Sequence, residues 1–145
     1  MKNRQIIIFV LLAVLILASF YERGYFSQVG GESAGGAAKI AAAFENRVSN
    51  LQVEGSGLVE KVLKDDIKGS RHQRIILRIS DTQTVLIAHN IDLAPRVENI
   101  KKGDQLDFFG EYEWNNKGGV IHWTHRDPDN RHVAGWLKHQ GKMYH

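Results

Sequence analysis

From Leu51 onward the apolar residues fall on every second position, and this period limits the fold more than any other feature of the chain. Alternation of that kind gives a strand with one buried and one wet face. Five stretches carry it. Val53–Leu63 is the first, and Gly55 and Gly57 inside it predict a bulge or a sharp bend. His72–Ser80 is the second, with Ile75, Leu77 and Ile79 on one face and Arg74 and Arg78 on the other. Asp81-Thr82-Gln83 turns the chain, and Thr84–His89 returns as the third. Gln105–Trp114 is the fourth, with Leu106, Phe108, Tyr112 and Trp114 facing inward. Asn115–Gly118 reads as a hairpin turn into the fifth, Val120–His125. Pro95 bars a helix interior from the interlude Ile91–Lys102 between the third and fourth strands.

Five strands with an irregular interlude after the third match the order of an OB-like barrel, so the expected class is all-β. An SH3-like barrel and an open antiparallel sheet remain as alternatives. The barrel is expected over residues 51–145, with a tail, Arg131–Tyr144, folding back over the fifth strand and bringing His132 near His122 or His125 and Asp127. Residues 37–50 read as a short helix, in which Ile40, Phe44 and Val48 form one apolar stripe and Asn50 marks the stop. Residues 24–36, with Gly30-Gly31 and Gly35-Gly36, read as a flexible linker.

Residues 1–23 carry the expectation about location. Lys2 and Arg4 precede an apolar run from Ile6 to Tyr21, the pattern of an export segment. The run falls just short of the about 17–25 residues that span a bilayer. No pair of small residues marks a cleavage site after Ala18, since Ile16 would occupy the −3 position. That favours a membrane anchor over a cleaved signal peptide. Positive residues stay in the cytoplasm, so the barrel is expected on the extracytoplasmic side of a bacterial inner membrane, or free in the periplasm if cleavage occurs. The partners expected are the membrane, through this segment, and a polar or anionic ligand.

Composition removes some chemistry. The chain has no cysteine, which excludes disulfides, thiolate zinc sites, thiol catalysis and a lipobox-type anchor. A net charge of +3 permits an anionic partner, but no long Lys/Arg run demands one. No cofactor is expected. His122 and His125 stand three apart, which on a straight strand sends them to opposite faces, so no metal set is assigned.

Two groups of side chains carry candidate chemistry. Pairing the second and third strands about Thr82, so that Ile75 meets His89, puts His89 on the core face. It gathers Arg71, His72 and Arg74 near His89, Asn90 and Asp92 at one end of the barrel. A histidine base with arginines around it suits phosphodiester cleavage. The second group is His122, Trp123, His125, Asp127, Arg131 and His132, at the end of the fifth strand and in the turn after it. Aromatic and basic groups there suit the capture of a strand or glycan by stacking and ion pairing. Alternation would set Ile121, Trp123 and His125 on one face of the fifth strand, with Val120, His122 and Thr124 on the other.

Four strings extend the reading: GSRHQRIIL at Gly69–Leu77, AHNIDLAPR at Ala88–Arg96, GEYEWNNKGGVIHWTHRDP at Gly110–Pro128, and RHVAGWLKHQGKMY at Arg131–Tyr144. Together, over roughly Leu58 to Tyr144, they resemble a bacterial family of small exported proteins, domain of unknown function 3465. The resemblance implies one small domain behind an export or membrane segment, with no activity or site residue to carry over. Ile91-Asp92-Leu93-Ala94-Pro95 also resembles, over five residues, the Ile-Asp-Thr-Pro-Glu loop of staphylococcal-type nucleases, which are OB-fold enzymes. The arginine before that loop and the glutamate after it are missing, Ile87 and Arg96 not replacing them. The expectation is therefore a binding module for nucleic acid, glycan or an envelope protein, with a nuclease-type hydrolase using the His/Arg cluster as the alternative.

Overall fold

The computed structural model describes residues 35–145. The apolar run at Ile6–Tyr21 and most of the glycine-rich linker lie outside the described residues. Among those described, no helix is long and apolar enough to cross a membrane.

A helix, α1, covers residues 35–45 and is followed by β1 (Leu51–Val62), β2 (His72–Arg78), β3 (Thr84–Asn90), β4 (Gln105–Glu113), β5 (Val120–His122), β6 (Trp136–His139) and β7 (Lys142–Tyr144). The first five strands close in the circuit β1-β2-β3-β5-β4, and β4 pairs back onto β1. The β3–β5 pair is parallel and the others are antiparallel. This is the connectivity of an OB-like barrel, and closure leaves these five strands no open circuit of edges.

One long strand makes the closure possible. β1 pairs with β4 through Leu51–Leu58 and with β2 from Leu58 onward, so Leu58 faces both Gln105 and Arg78. Gly57 lies at that change of partner, and a Cβ there would sit 2.5 Å from the Arg78 carbonyl oxygen. The bulge expected within β1 falls later, between Val59 and Lys61. β2 and β3 pair with Ile75 opposite Ile87 and Gln73 opposite His89. The pairing is therefore centred on Asp81 rather than on Thr82. Because the slip is by two residues, every side chain keeps its face, and His89 lies inside as expected.

The barrel interior holds Val53, Ile75, Leu77, Val85, Ile87, Leu106, Phe108, Tyr112 and Ile121, all nearly or fully buried. Helix α1 adds Ile40 and Ala43 to this cluster. Each large side chain sealed there contributes about 1.5–3 kcal/mol. The helix ends earlier than the expected stripe allows. Arg47 adopts a positive φ of 54°, Val48 N–H donates to the Ala43 carbonyl at 2.9 Å and Arg47 N–H to that of Phe44 at 3.3 Å. That is a Schellman end, and it leaves Val48 exposed beyond the last turn. Phe44 stacks on Trp114, whose indole N–H donates to the Phe44 carbonyl at 3.0 Å.

The C-terminal residues belong to the same fabric. β5 stops at His122, and β6 takes up the same edge of β4 further along, pairing with Asp107–Phe109. β7 returns through Gln140 and Gly141, both at positive φ as a tight hairpin demands. The tail thus folds back beside β4 rather than over the face of β5. It buries Leu137 and Tyr144 in the common core. His139, also buried, meets the Asp104 carboxylate at 2.9 Å and ties this hairpin to the loop before β4.

Candidate functional site

The first group of predicted residues divides between the outside and the inside of the barrel. Arg71, His72, Arg74, Asn90 and Asp92 come together on the outside. Asp92 accepts from both Arg71 N–H and Arg71 Nε, each at 2.7 Å, and these bonds hold its carboxyl below the ordinary aspartate range. Asn90 Oδ1 accepts from Asp92 N–H, His72 Nδ1 meets the Ser70 carbonyl, and Arg74 Nε donates to the Lys64 carbonyl. Each polar group is occupied in fixing the 63–71 and 91–97 loops.

His89 is fully buried and apart from them. Its Nε2 lies 3.0 Å from the Pro95 carbonyl and its Nδ1 2.9 Å from Thr124 Oγ1. A carbonyl only accepts, so Nε2 carries the hydrogen and Nδ1 accepts from the threonine hydroxyl. Burial lowers the pKa to about 4 despite the Pro95 bond, with the nearby His125 and His72 adding to the fall. The ring is a neutral strut between the interlude and the segment after β5. Gln73 beside it does the same, its amide bonding both N–H and carbonyl of Val97.

The second group forms a built surface. β5 runs only three residues because Trp123 takes a positive φ of 52°. That turn undoes the expected alternation: Thr124 goes inward to His89, and Trp123 swings out to a half-buried position. His122 and His125 flank the indole, at 6.3 and 5.5 Å between ring centres, and share no ligand position. His125 is buried, with Nδ1 at 2.9 Å from the Arg126 carbonyl.

Asp127 then organises the loop. Its Oδ1 accepts from Asp129 N–H at 3.0 Å, and its Oδ2 from Arg131 and His132 N–H at 2.9 and 3.0 Å. The Asp129 bond, then those of Arg131 and His132, hold this carboxyl below the ordinary range against the opposing effect of burial. The Arg131 guanidinium pairs with Asp129. Further along, Gly135 N–H donates to the His125 carbonyl, and its Cα is so close that a Cβ would sit 1.9 Å from the Trp123 carbonyl oxygen.

His132 is thereby laid flat on Trp123, 4.2 Å between ring centres and 9° from parallel. Its Nδ1 faces the Val133 carbonyl at 2.8 Å and its Nε2 the Glu111 carboxylate at 2.9 Å. Acceptors at both nitrogens favour the doubly protonated ring. Burial opposes that charge, but the bonds to Glu111 and Val133 and the charges of Glu111 and Asp127 together raise the pKa.

Glu111 and Glu113 complete the surface, and the sequence reading missed them. The signal was present: the alternation that points Tyr112 inward points both glutamates outward, and the β4–β5 hairpin sets Glu111 opposite His122. His122 Nε2 lies 3.5 Å from Glu111 Oε1 and 3.9 Å from Glu113 Oε1. Burial lowers the pKa of this ring, partly offset by the two carboxylates and reinforced by His132. An open cleft lined by Asp104, Asp107, Lys138 and His139 lies away from both groups.

These features define a small closed OB-like barrel with a closely hydrogen-bonded loop, rather than an open cavity, as its elaborated face. The family model described as "Protein of unknown function (DUF3465)" matches residues 27–145. The chain belongs to that family. No curated protein matches it.

Proposed function

We propose that the protein is an extracytoplasmic binding module, held at or exported through a membrane by its N-terminal segment. Its ligand is polar and lies on the outer face of β4 and β5 with the loop of residues 123–135. The observation that carries this reading is the Trp123–His132 platform, partly exposed, stacked in parallel and fixed by the bonds of His132 to Asp127 and Glu111. Pre-organised aromatic surface of this kind captures ligands without a large ordering cost.

The alternative, phosphodiester cleavage, needs an accessible base and free arginines. His89 is sealed, neutral and bonded at both nitrogens. Arg71, Arg78, Arg96 and Arg131 each face a carboxylate: Asp92, Glu60, Asp65 and Asp129. That pairing, and two glutamates on the platform side, favour a polar over a strongly anionic ligand.

The test pairs turnover with capture. The full chain is incubated with a chromogenic phosphodiester and, separately, titrated with single-stranded DNA and with envelope glycan fragments while tryptophan emission is followed. The expected result is no turnover, saturable binding of a glycan fragment, and weakening by about 5- to 150-fold in Trp123→Ala, the range of one lost stacking contact. Turnover that disappears in a folded His89→Ala variant overturns the reading in favour of a hydrolase.

A further inference from the structure

The donor atoms of Glu111, Glu113 and His122 lie within 4.8 Å of one another on the barrel exterior. The register explains why. Glu111 and His122 are directly paired across β4 and β5, and Glu113 is two residues on from Glu111 on the same face.

Two details distinguish this group from a surface ion pair. His122 Nε2 is shielded from solvent and makes no close hydrogen bond, the Glu111 Oε1 oxygen standing 3.5 Å away. The separations of 3.5 and 3.9 Å to the two carboxylate oxygens are also too long for charge-assisted hydrogen bonds. They suit another geometry. Ligand atoms about 2.0–2.2 Å from a tetrahedral ion stand roughly 3.4 Å apart along each edge. The second oxygen of Glu111 is separately held by His132 at 2.9 Å, the outer-shell bond that orients a ligating carboxylate.

We infer that Glu111, Glu113 and His122 form a binding site for a single divalent transition-metal ion of the zinc type, with His132 as the positioning residue for Glu111. Nitrogen and carboxylate oxygen ligands suit zinc and its neighbours better than magnesium or calcium, which take oxygen alone. Three protein ligands leave a fourth position open, beside Trp123. A polar group of the module's ligand can occupy it, and in that respect the inference deepens the binding reading and rests on the same face. His122 and His125, three apart in the chain, do not converge; the cross-strand register of the β4–β5 hairpin assembles the set instead.

The probe is Zn2+ alone, titrated into the full chain against a chromogenic chelator, with Co2+ absorption in the visible reporting the ligand geometry. The expected result is one equivalent bound in a tetrahedral field. Glu113→Gln and His122→Gln should each weaken it by more than about tenfold, and His132→Asn by about tenfold. His139→Gln, at a separate carboxylate–histidine pair, should leave it unchanged. Far-ultraviolet circular dichroism confirms that each variant folds, and Glu113→Gln, a half-exposed isosteric change, serves if His122→Gln does not. Absence of saturable binding, or binding that survives both Glu113→Gln and His122→Gln, overturns the inference. Because the titration contains no organic ligand, the two readings fail separately: Zn2+ binding without glycan capture upholds the site and refutes the module, and the reverse refutes only the site.

Discussion

Acid should unfold this barrel earlier than its carboxylates require, and His89 is the reason. The folded chain holds the ring at a pKa of about 4, against 6.5 for the free side chain. The unfolded chain therefore takes up a proton near pH 6.5 that the folded chain refuses. The stability contributed by the neutral ring is complete above about pH 7 and is lost as pH falls from 6.5 toward 4. Between pH 7.5 and 4.5 the loss comes to about 2.5 kcal/mol, at about 1.36 kcal/mol per unit. His122 is lowered and adds loss in the same sense, whereas His132 is raised and opposes it. The comparison must therefore be made against a His89→Gln variant, which keeps those two rings. Urea denaturation of both proteins at the two pH values measures the difference. The wild type should lose about 2.5 kcal/mol more than the variant. Equal losses would show that the folded barrel admits the proton, and that the neutral strut between Pro95 and Thr124 is not what holds these loops.

Gly135→Ala should destabilise the domain by about 1–3 kcal/mol in urea denaturation, because its Cβ would meet the backbone carbonyls of Trp123 and Phe109, at 1.9 and 2.5 Å, rather than a yielding side chain. Truncation after Asn130 removes Leu137 and Tyr144 from the core and should cost about 3–6 kcal/mol, seen as a lower Tm; an unchanged Tm would make the tail an appendage. His132, followed by NMR, should titrate above the ordinary histidine value and move down in Glu111→Gln, which removes a charge and weakens the bond that raise it. A reporter active only in the cytoplasm, fused after His145, should be silent; activity would refute the extracytoplasmic placement.

The period of two gave the barrel strands and the faces of His89, Gln73 and Tyr112, since alternation survives a two-residue error in register. It could not give the length of β5. The positive φ at Trp123 is imposed by tertiary demands: Thr124 must reach His89, and the Trp123 carbonyl must pack against Gly135. A β-branched, aromatic stretch from Val120 to His125 reads as continuous strand, and tertiary packing overrides that propensity. The return of the tail placed His132 near Asp127, as found, but the stacking of its ring on Trp123 depends on the turn at Trp123 and was not legible. Glu111 and Glu113 were not singled out because attention to histidines and arginines passed over carboxylates on a wet face. Their importance comes from the cross-strand partner His122, set opposite Glu111 by the hairpin register.

Amide chemical-shift mapping of the isotopically labelled full chain during glycan-fragment titration tests most directly where the protein works. The largest shifts should fall at Glu111, Glu113, His122, Trp123 and His132. Shifts concentrated instead at Arg71, His72, Asn90 and Asp92, with the Trp123 loop unmoved, would contradict this placement and return the function to the opposite group of residues.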